Sequence, residues 1–125
     1  MAWICLKCGS LRWIENCQVA ETYELGIEEA EENIDTEHYG DVEIVCFECN
    51  DDFLVQYDAY ELTKNQRLKL RNQKDWKKRL KLLLEFALKN KKIMNKYNLK
   101  KLFEWCKTLK LIDERLEKLL IIYNL

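Results

Sequence analysis

The chain has 125 residues, of which 48% are apolar and 34% are charged, and it contains a single histidine, His38. This composition is typical of a globular protein, and one histidine argues against Ser-His-Asp or Cys-His catalysis. No run of 18 apolar residues is present and the first residues lack a secretory-signal pattern, so we expect a cytoplasmic protein without a membrane span.

The formal charge of −1 hides a strong division along the chain. Residues 1–62 contain two basic and sixteen acidic residues, whereas residues 63–125 contain nineteen basic and six acidic ones. Such an asymmetry predicts either two surfaces with different partners or two halves that pack together and neutralise each other.

Four of the six cysteines form two C-x2-C pairs. The four are Cys5, Cys8, Cys46 and Cys49. This spacing directs both thiolates of a pair at one metal ion, and two pairs supply the soft tetrahedral ligand set that zinc prefers. Gly9 and Asn50 follow the pairs and suit the left-handed conformation that closes such a knuckle. Disulfides and a redox C-x-x-C remain as alternatives.

The other two cysteines have different surroundings. Cys17 lies in an alternating, strand-like segment and Cys106 in an apolar helical stripe. We expect both to be small buried apolar residues, with Cys17 as a metal ligand the alternative.

Alternation of apolar and polar residues predicts three strands. Residues 11–25 indicate one long strand, or a strand with a bulge near Ile14 or Ala20. Residues 42–46 and 53–57 indicate two more, so the sequence predicts a three-stranded antiparallel sheet with the metal at one end.

With its two knuckles, Cys5-Leu-Lys-Cys8-Gly9 and Cys46-Phe-Glu-Cys49-Asn50, the segment 1–58 resembles a zinc ribbon. The resemblance implies one structural Zn²⁺ held by the four cysteines. Zinc ribbons bind DNA, RNA or protein, or are only structural, so the resemblance does not choose a function.

A strongly acidic stretch joins the first two predicted strands, between Gly26 and Gly40, and reads as a loop. Its acidic residues are Glu28, Glu29, Glu31, Glu32, Asp35 and Glu37. A solvated loop, a surface for a basic protein partner or for the chain's own helices, and an acidic tip like that of transcript-cleavage factors are the alternatives.

From residue 60 onward the apolar period becomes helical. A first helix is predicted from about Ala59 to Gln73, and Asp75 can cap a second. Asn98 and Asp113 can cap a third and a fourth, and these short helices also permit a helix-turn-helix. The sequence therefore predicts a small bundle of three to four helices.

Basic residues crowd the first two predicted helices. They are Lys64, Arg67, Lys69, Arg71, Lys74, Lys77, Lys78, Arg79 and Lys81. Such a face can neutralise several phosphates, and its excess of lysine favours backbone contacts over reading of bases. A solvated lysine-rich helix surface is the alternative.

We therefore expect an α+β protein with a zinc ribbon at 1–58 and a basic helical domain at 59–125. The predicted function is that of a non-enzymatic accessory or regulatory protein that binds nucleic acid, RNA more readily than DNA, or a nucleoprotein machine. The rival prediction is a protein-interaction module or inhibitor whose acidic face binds a basic partner and imitates nucleic acid.

Overall fold

The computed structural model describes residues 2–16, 20–24, 32–37 and 43–122, which form strands followed by helices. The strands are β1 (Ala2–Cys5), β2 (Arg12–Asn16), β3 (Ala20–Glu24), β4 (Glu32–Glu37), β5 (Glu43–Cys46) and β6 (Leu54–Tyr57). The helices are α1 (Lys64–Asn72), α2 (Trp76–Lys89), α3 (Lys96–Thr108) and α4 (Glu114–Ile122). The predicted mixed α+β class and the four helices are confirmed.

The strands make two antiparallel sheets, so the predicted three-stranded sheet is wrong. Strand β1 pairs with β6, with Ala2 opposite Tyr57 and Cys5 opposite Leu54. The other four strands form a sheet in the order β4-β3-β2-β5. The two knuckles follow β1 and β5, which belong to different sheets, so the sheets meet at the cysteines.

The single long strand predicted over residues 11–25 is also wrong, because the chain reverses within it. Strand β2 pairs with β3, and Trp13 faces Tyr23 across the hairpin. Alternation persists through both arms of a hairpin, so a period of two cannot reveal where the chain turns back. The irregularity in pairing lies at Thr22/Tyr23, against β4, and not at Ile14 or Ala20.

Part of the predicted acidic loop is a strand. Strand β4 runs through Glu32, Asp35 and Glu37 and pairs with β3. Glutamate and aspartate have low strand propensity, but backbone pairing with a neighbouring strand overrides that preference. Glu28, Glu29 and the other residues of 25–31 lie outside the described part of the chain.

The first predicted helix is divided at Thr63. A short 3-10 turn, Ala59–Glu61, precedes α1, whose N-cap Thr63 forms a reciprocal capping box with Gln66. Thr63 has an extended backbone and its side chain accepts a hydrogen bond from the Gln66 amide, so α1 begins after it. The prediction from about Ala59 missed this Thr-x-x-Gln signature.

Capping of the later helices follows the prediction at two ends of three. Asp75 accepts a hydrogen bond from the Lys77 amide at the start of α2, and Asp113 likewise accepts one from Leu116 at α4. The cap of α3 is Asn95 rather than Asn98. The two asparagines are three residues apart in the sequence. Asn98 is buried, and its Oδ1 accepts a hydrogen bond from the backbone amide of Gln56 in β6.

One hydrophobic core extends across the predicted boundary at 58/59, which itself stays a prediction. Buried side chains from both sides contribute to it: Ile4, Leu6, Trp13, Tyr57, Leu80, Leu84, Leu102 and Cys106. The expected burial of Cys106 is confirmed, whereas Cys17 lies outside the described residues. Within the described ranges, no helix has the length and apolar character needed to cross a membrane.

Candidate metal centre and basic surface

The four cysteines of the two knuckles come together as the sequence predicts. Their sulfur atoms all lie within 4.8 Å of one another. The Sγ atoms of Cys5 and Cys49 are 3.6 Å apart, and those of Cys8 and Cys46 are 3.5 Å apart. Zinc–sulfur bonds of about 2.3 Å in a tetrahedron place the sulfurs roughly 3.8 Å apart. The cluster can therefore hold one metal ion.

The two knuckles have the same backbone geometry. The amide of Gly9 donates to the carbonyl of Cys5 at 2.9 Å, and the amide of Asn50 donates to the carbonyl of Cys46 at 3.0 Å. Gly9 has φ +70° and Asn50 has φ +59°, so both adopt the predicted left-handed conformation. Glycine and asparagine tolerate this conformation best, which explains their place after each pair.

Backbone groups also arrange the sulfurs. The amide of Lys7 lies 3.4 Å from the sulfur of Cys5 and donates a hydrogen bond to it. The amides of Cys5 and Cys46 donate to the carbonyls of Ser10 and Asp51, at 3.1 and 2.8 Å. These bonds hold the turns in the conformation that brings the four sulfurs together.

The four thiols do not share one environment. Burial raises the pKa of Cys5 to about 12 and raises that of Cys8 as well. At the exposed Cys49, partial burial raises the pKa, but hydrogen bonds from the amide of Asp51 and with the neighbouring thiols lower it by more, so the pKa is lowered overall. A divalent cation would reverse this balance, because a thiol deprotonates when it coordinates such a metal.

The first knuckle is packed directly on helix α2. A Cβ placed on Gly9 would lie 2.6 Å from the Cβ of Trp76 and 2.9 Å from its Cα. The guanidinium group of Arg79 donates from Nη1 to the carbonyl of Gly9 at 2.6 Å and from Nη2 to that of Gln73. Burial lowers the pKa of Arg79, and the nearby side chains of Tyr57 and Cys8 act in the opposite direction without reversing the shift. Helix α2 thus holds the loop that carries Cys8.

Helix α3 holds the same knuckle from another direction. The indole Nε1 of Trp105 donates to the carbonyl of Leu6 at 2.7 Å. The ring of Phe53 meets Trp105 edge to face, with centroids 5.0 Å apart. The ammonium group of Lys7 lies 5.0 Å from the Trp105 ring, and that of Lys101 lies 4.9 Å from Phe53. The first knuckle is therefore built into the helical half.

The second knuckle, by contrast, faces solvent. Phe47, between its two cysteines, is 39% exposed. The guanidinium carbon of Arg12 lies 3.9 Å from the centre of the Phe47 ring, and its Nη1 is 3.3 Å from Glu48. The sequence patterns did not identify Arg12 or Phe47 as functional residues. Arg12 is one of only two basic residues in the acidic half, which was the available signal.

The predicted basic residues fall into two groups. Six of them are exposed on α1, on α2 or between the two helices: Lys64, Lys69, Arg71, Lys74, Lys77 and Lys78. Of the remaining three, Arg67 and Arg79 donate to backbone carbonyls and Lys81 forms a surface ion pair. Arg67 donates from Nη1 to the carbonyl of Leu62 at 2.7 Å, and Lys81 lies 2.5 Å from Asp113.

The predicted partner-binding acids divide between described and undescribed parts. Glu32, Asp35 and Glu37 lie on β4, which is an edge of the four-stranded sheet. Glu28, Glu29 and Glu31 lie outside the described residues. Of this acidic stretch, the structure therefore describes only the backbone of β4.

Comparison of the chain with known protein families, with curated proteins and with solved structures finds no match.

Proposed function

We propose that the four-cysteine centre is a structural zinc site and that the segment around it is a zinc ribbon. Four thiolates on two knuckles form a closed ligand set, which leaves no position for a substrate or an activated water. The S–S distances suit a tetrahedral ion, and zinc accepts this geometry without preference from its d electrons. The proposed ion stabilises the fold and takes no part in a reaction.

A direct measurement of the metal tests this part. Protein purified without added metal should contain close to one zinc per chain by elemental analysis, and a strong chelator should abolish its cooperative unfolding transition. Iron in place of zinc, or no metal in a protein that unfolds with the same transition after chelation, would refute the zinc site.

We further propose that the protein is a non-enzymatic accessory factor that binds nucleic acid, alone or in a nucleoprotein complex. The observation that carries this proposal is the exposure of lysines and arginines over the end of α1 and the first turn of α2. The exposed side chains are Lys69, Arg71, Lys74, Lys77 and Lys78. Asp75 is the one acidic residue within this stretch, and its carboxylate caps α2. Dense, exposed positive charge supports binding to phosphates through counterion release.

Charge reversal at this surface tests the binding. We expect the triple change Lys74→Glu, Lys77→Glu and Lys78→Glu to lower the affinity for RNA at least about tenfold at 0.15 M salt. The plot of log affinity against log salt should also lose about 0.7–0.9 in slope for each phosphate contact removed. Fluorescence anisotropy with single-stranded RNA, duplex RNA and duplex DNA measures both quantities.

The chain offers a matched control with the same change in net charge. Lys89, Lys91 and Lys92 are also exposed, but they lie at and beyond the other end of α2. Their triple reversal to Glu should weaken binding much less, because charges beyond about 8 Å are largely screened at 0.15 M salt. Equal losses in the two triple variants, or no binding of any nucleic acid at low salt, would refute the proposed surface.

The rival function, binding of a basic protein partner, has support from the position of β4. Among the described strands, this acidic strand lies at an edge of its sheet, where one row of backbone donors and acceptors can pair with another strand. Replacing Glu32, Asp35 and Glu37 by Gln separates the two proposals. Loss of binding to a basic protein after this change, with no effect of the lysine reversals, would favour the protein-interaction module. Loss of RNA binding in the lysine triple variant, with no effect of this change, would favour the accessory factor.

A further inference from the structure

A cleft of about 320 Å³ lies where the knuckles meet the helices, and three arginines line it. They are Arg12 from β2, Arg71 from α1 and Arg79 from α2. Among the described lining residues, Glu48 is the one carboxylate and Cys8 is the one metal-site cysteine. The lining therefore carries three positive charges against one negative, before the charge of the metal centre is counted.

The guanidinium groups in this cleft have donors that the described protein does not use. Each guanidinium offers five N–H groups in a planar fork. The Nε atoms of Arg12 and Arg79 are shielded from solvent and find no acceptor within the described residues. Because these Nε atoms are out of reach of solvent, a ligand oxygen in the cleft would contact the outer N–H groups of the guanidinium forks instead.

The proposed metal centre offsets part of this positive charge. Four thiolates around a divalent ion carry a formal charge of about −2, but it is spread over four sulfurs. Of the four cysteines, only Cys8 belongs to the lining, and Arg71 stands at the exposed side of the cleft on α1. The same helix carries Lys69, so the cleft continues into the basic surface proposed above.

An aromatic ring stands next to the cleft. Phe47 is 39% exposed and stacks with the guanidinium group of Arg12, whose carbon is 3.9 Å from the ring centre. An exposed aromatic side chain beside a row of cations is the usual arrangement for single-stranded nucleic acid, in which bases stack while phosphates contact the cations. Duplex bases are already stacked on each other and cannot use such a ring.

From these observations we propose that the cleft is an oxyanion site whose ligand is a backbone phosphate of single-stranded nucleic acid, with a neighbouring base on Phe47. This inference rests on the proposed nucleic-acid function and deepens it in two ways. It adds a second contact, the cleft between the ribbon and the helices, which shares Arg71 with the exposed basic residues of α1 and α2. It also sets the strandedness of the ligand.

The first arm of the test is binding of a short labelled single-stranded RNA at 0.15 M salt. We expect Arg12→Gln to lower the affinity about tenfold, because it removes a charge-assisted bond to phosphate. Arg12→Lys should recover only part of the loss, since an ammonium group lacks the fork. Phe47→Leu should lower single-strand affinity about tenfold and leave duplex affinity unchanged.

The matched control is Arg115→Gln. Arg115 is also a partly paired surface arginine, 3.6 Å from Glu85, with its side chain 67% exposed, but it lies on α4. Arg115→Gln removes the same charge as Arg12→Gln and should leave the affinity for single-stranded RNA unchanged. Metal content and the melting temperature of each variant show whether the fold is retained, and only variants that match the wild type in both are compared.

The second arm uses inorganic phosphate alone, followed by nuclear magnetic resonance of the arginine Nε–H groups. Addition of phosphate to the full protein should shift the signals of Arg12 and Arg79 and leave that of Arg115 unchanged. Phe47→Leu should not alter this response, because phosphate has no base to stack.

The outcomes separate this inference from the function on which it rests. If wild-type protein binds RNA but Arg12→Gln and Phe47→Leu behave like Arg115→Gln, the cleft proposal is wrong and the lysine surface stands. If the protein binds no nucleic acid but phosphate shifts the Arg12 signal, the nucleic-acid function is wrong and the oxyanion site stands. No response in either arm overturns both.

Discussion

Replacement of Gly9 by alanine should destabilise the protein more than any other change of a single methyl group in the knuckles. The residue has φ +70°, where a non-glycine residue costs about 1–2 kcal/mol. The added Cβ would also lie 2.6 Å from the Cβ and 2.9 Å from the Cα of Trp76, and relieving such overpacking costs about 1–3 kcal/mol. The two effects together give about 2–5 kcal/mol out of a total stability of about 5–15 kcal/mol.

Urea unfolding of the metal-loaded protein measures this loss. With an m-value of about 2 kcal/mol per molar urea, the midpoint should fall by roughly 1–2.5 M. Asn50→Ala is the matched control, because Asn50 has φ +59° at the same place in the other knuckle and already carries a Cβ. It should lose only the conformational part, about 1 kcal/mol, since asparagine itself tolerates this region better than alanine.

A second control tests the cause. Trp76→Ala should not rescue Gly9→Ala, because the atoms that the new methyl group meets are the Cβ, Cα and carbonyl oxygen of residue 76, all of which alanine keeps. Equal midpoints for Gly9→Ala and Asn50→Ala, or recovery in the double variant, would refute the argument from close packing on α2.

Three further predictions concern the metal, the α3 contact and the α4 cap. Cys49→Ser should lower bound metal well below one ion per chain in elemental analysis, because a hydroxyl is a poor ligand for a soft site. Trp105→Phe should lower the free energy of unfolding by about 1–3 kcal/mol in urea, since the carbonyl of Leu6 loses its donor. Asp113→Asn should lower the melting temperature at neutral pH, and the difference from wild type should shrink in acid, because the hydrogen bond from Lys81 lowers the pKa of Asp113 below its ordinary 3.8.

Each of these has a result that would contradict it. Cys106→Ala, which changes a buried cysteine of α3 away from the cluster, should keep the metal, and equal metal loss in both cysteine variants would argue against a four-ligand site. An unchanged midpoint for Trp105→Phe would mean that the indole contact adds no stability. The carboxylate of Asp113 stabilises the folded protein above pH 3.8, and this stabilisation is lost as pH falls through its lowered pKa. A melting-temperature difference between wild type and Asp113→Asn that grows in acid would therefore contradict the role assigned to Asp113.

The four-cysteine cluster could be predicted because its signal is local. Two C-x2-C pairs, each followed by a residue that tolerates positive φ, identify Cys5, Cys8, Cys46 and Cys49 before any fold is known. The sheet could not be predicted in the same way, because alternation does not distinguish one strand from a hairpin. The reversal between β2 and β3 shows this directly, since Trp13 and Tyr23 have the same parity and face each other across the pair.

The division of the basic residues was hidden for a different reason. Lys77, Lys78 and Arg79 are adjacent in sequence, yet the first two are exposed while Arg79 donates to the carbonyls of Gly9 and Gln73. A helix turns by 100° per residue, so neighbours face different surroundings. Which residue faces the knuckle depends on how α2 docks, and that is decided by contacts between distant parts of the chain.

The hydrogen bond from Trp105 to Leu6 joins residues 99 positions apart, and it bears on how the protein is made. A ribosome that adds about 5–20 residues per second completes Cys5 and Cys8 roughly 5–20 s before Trp105. For about two-fifths of that interval the chain also lacks the cysteines of the second knuckle, and α3 is complete only after its end. The thiols of Cys5 and Cys8 are therefore made well before the residues that bury them, and the speed of translation sets the length of this interval.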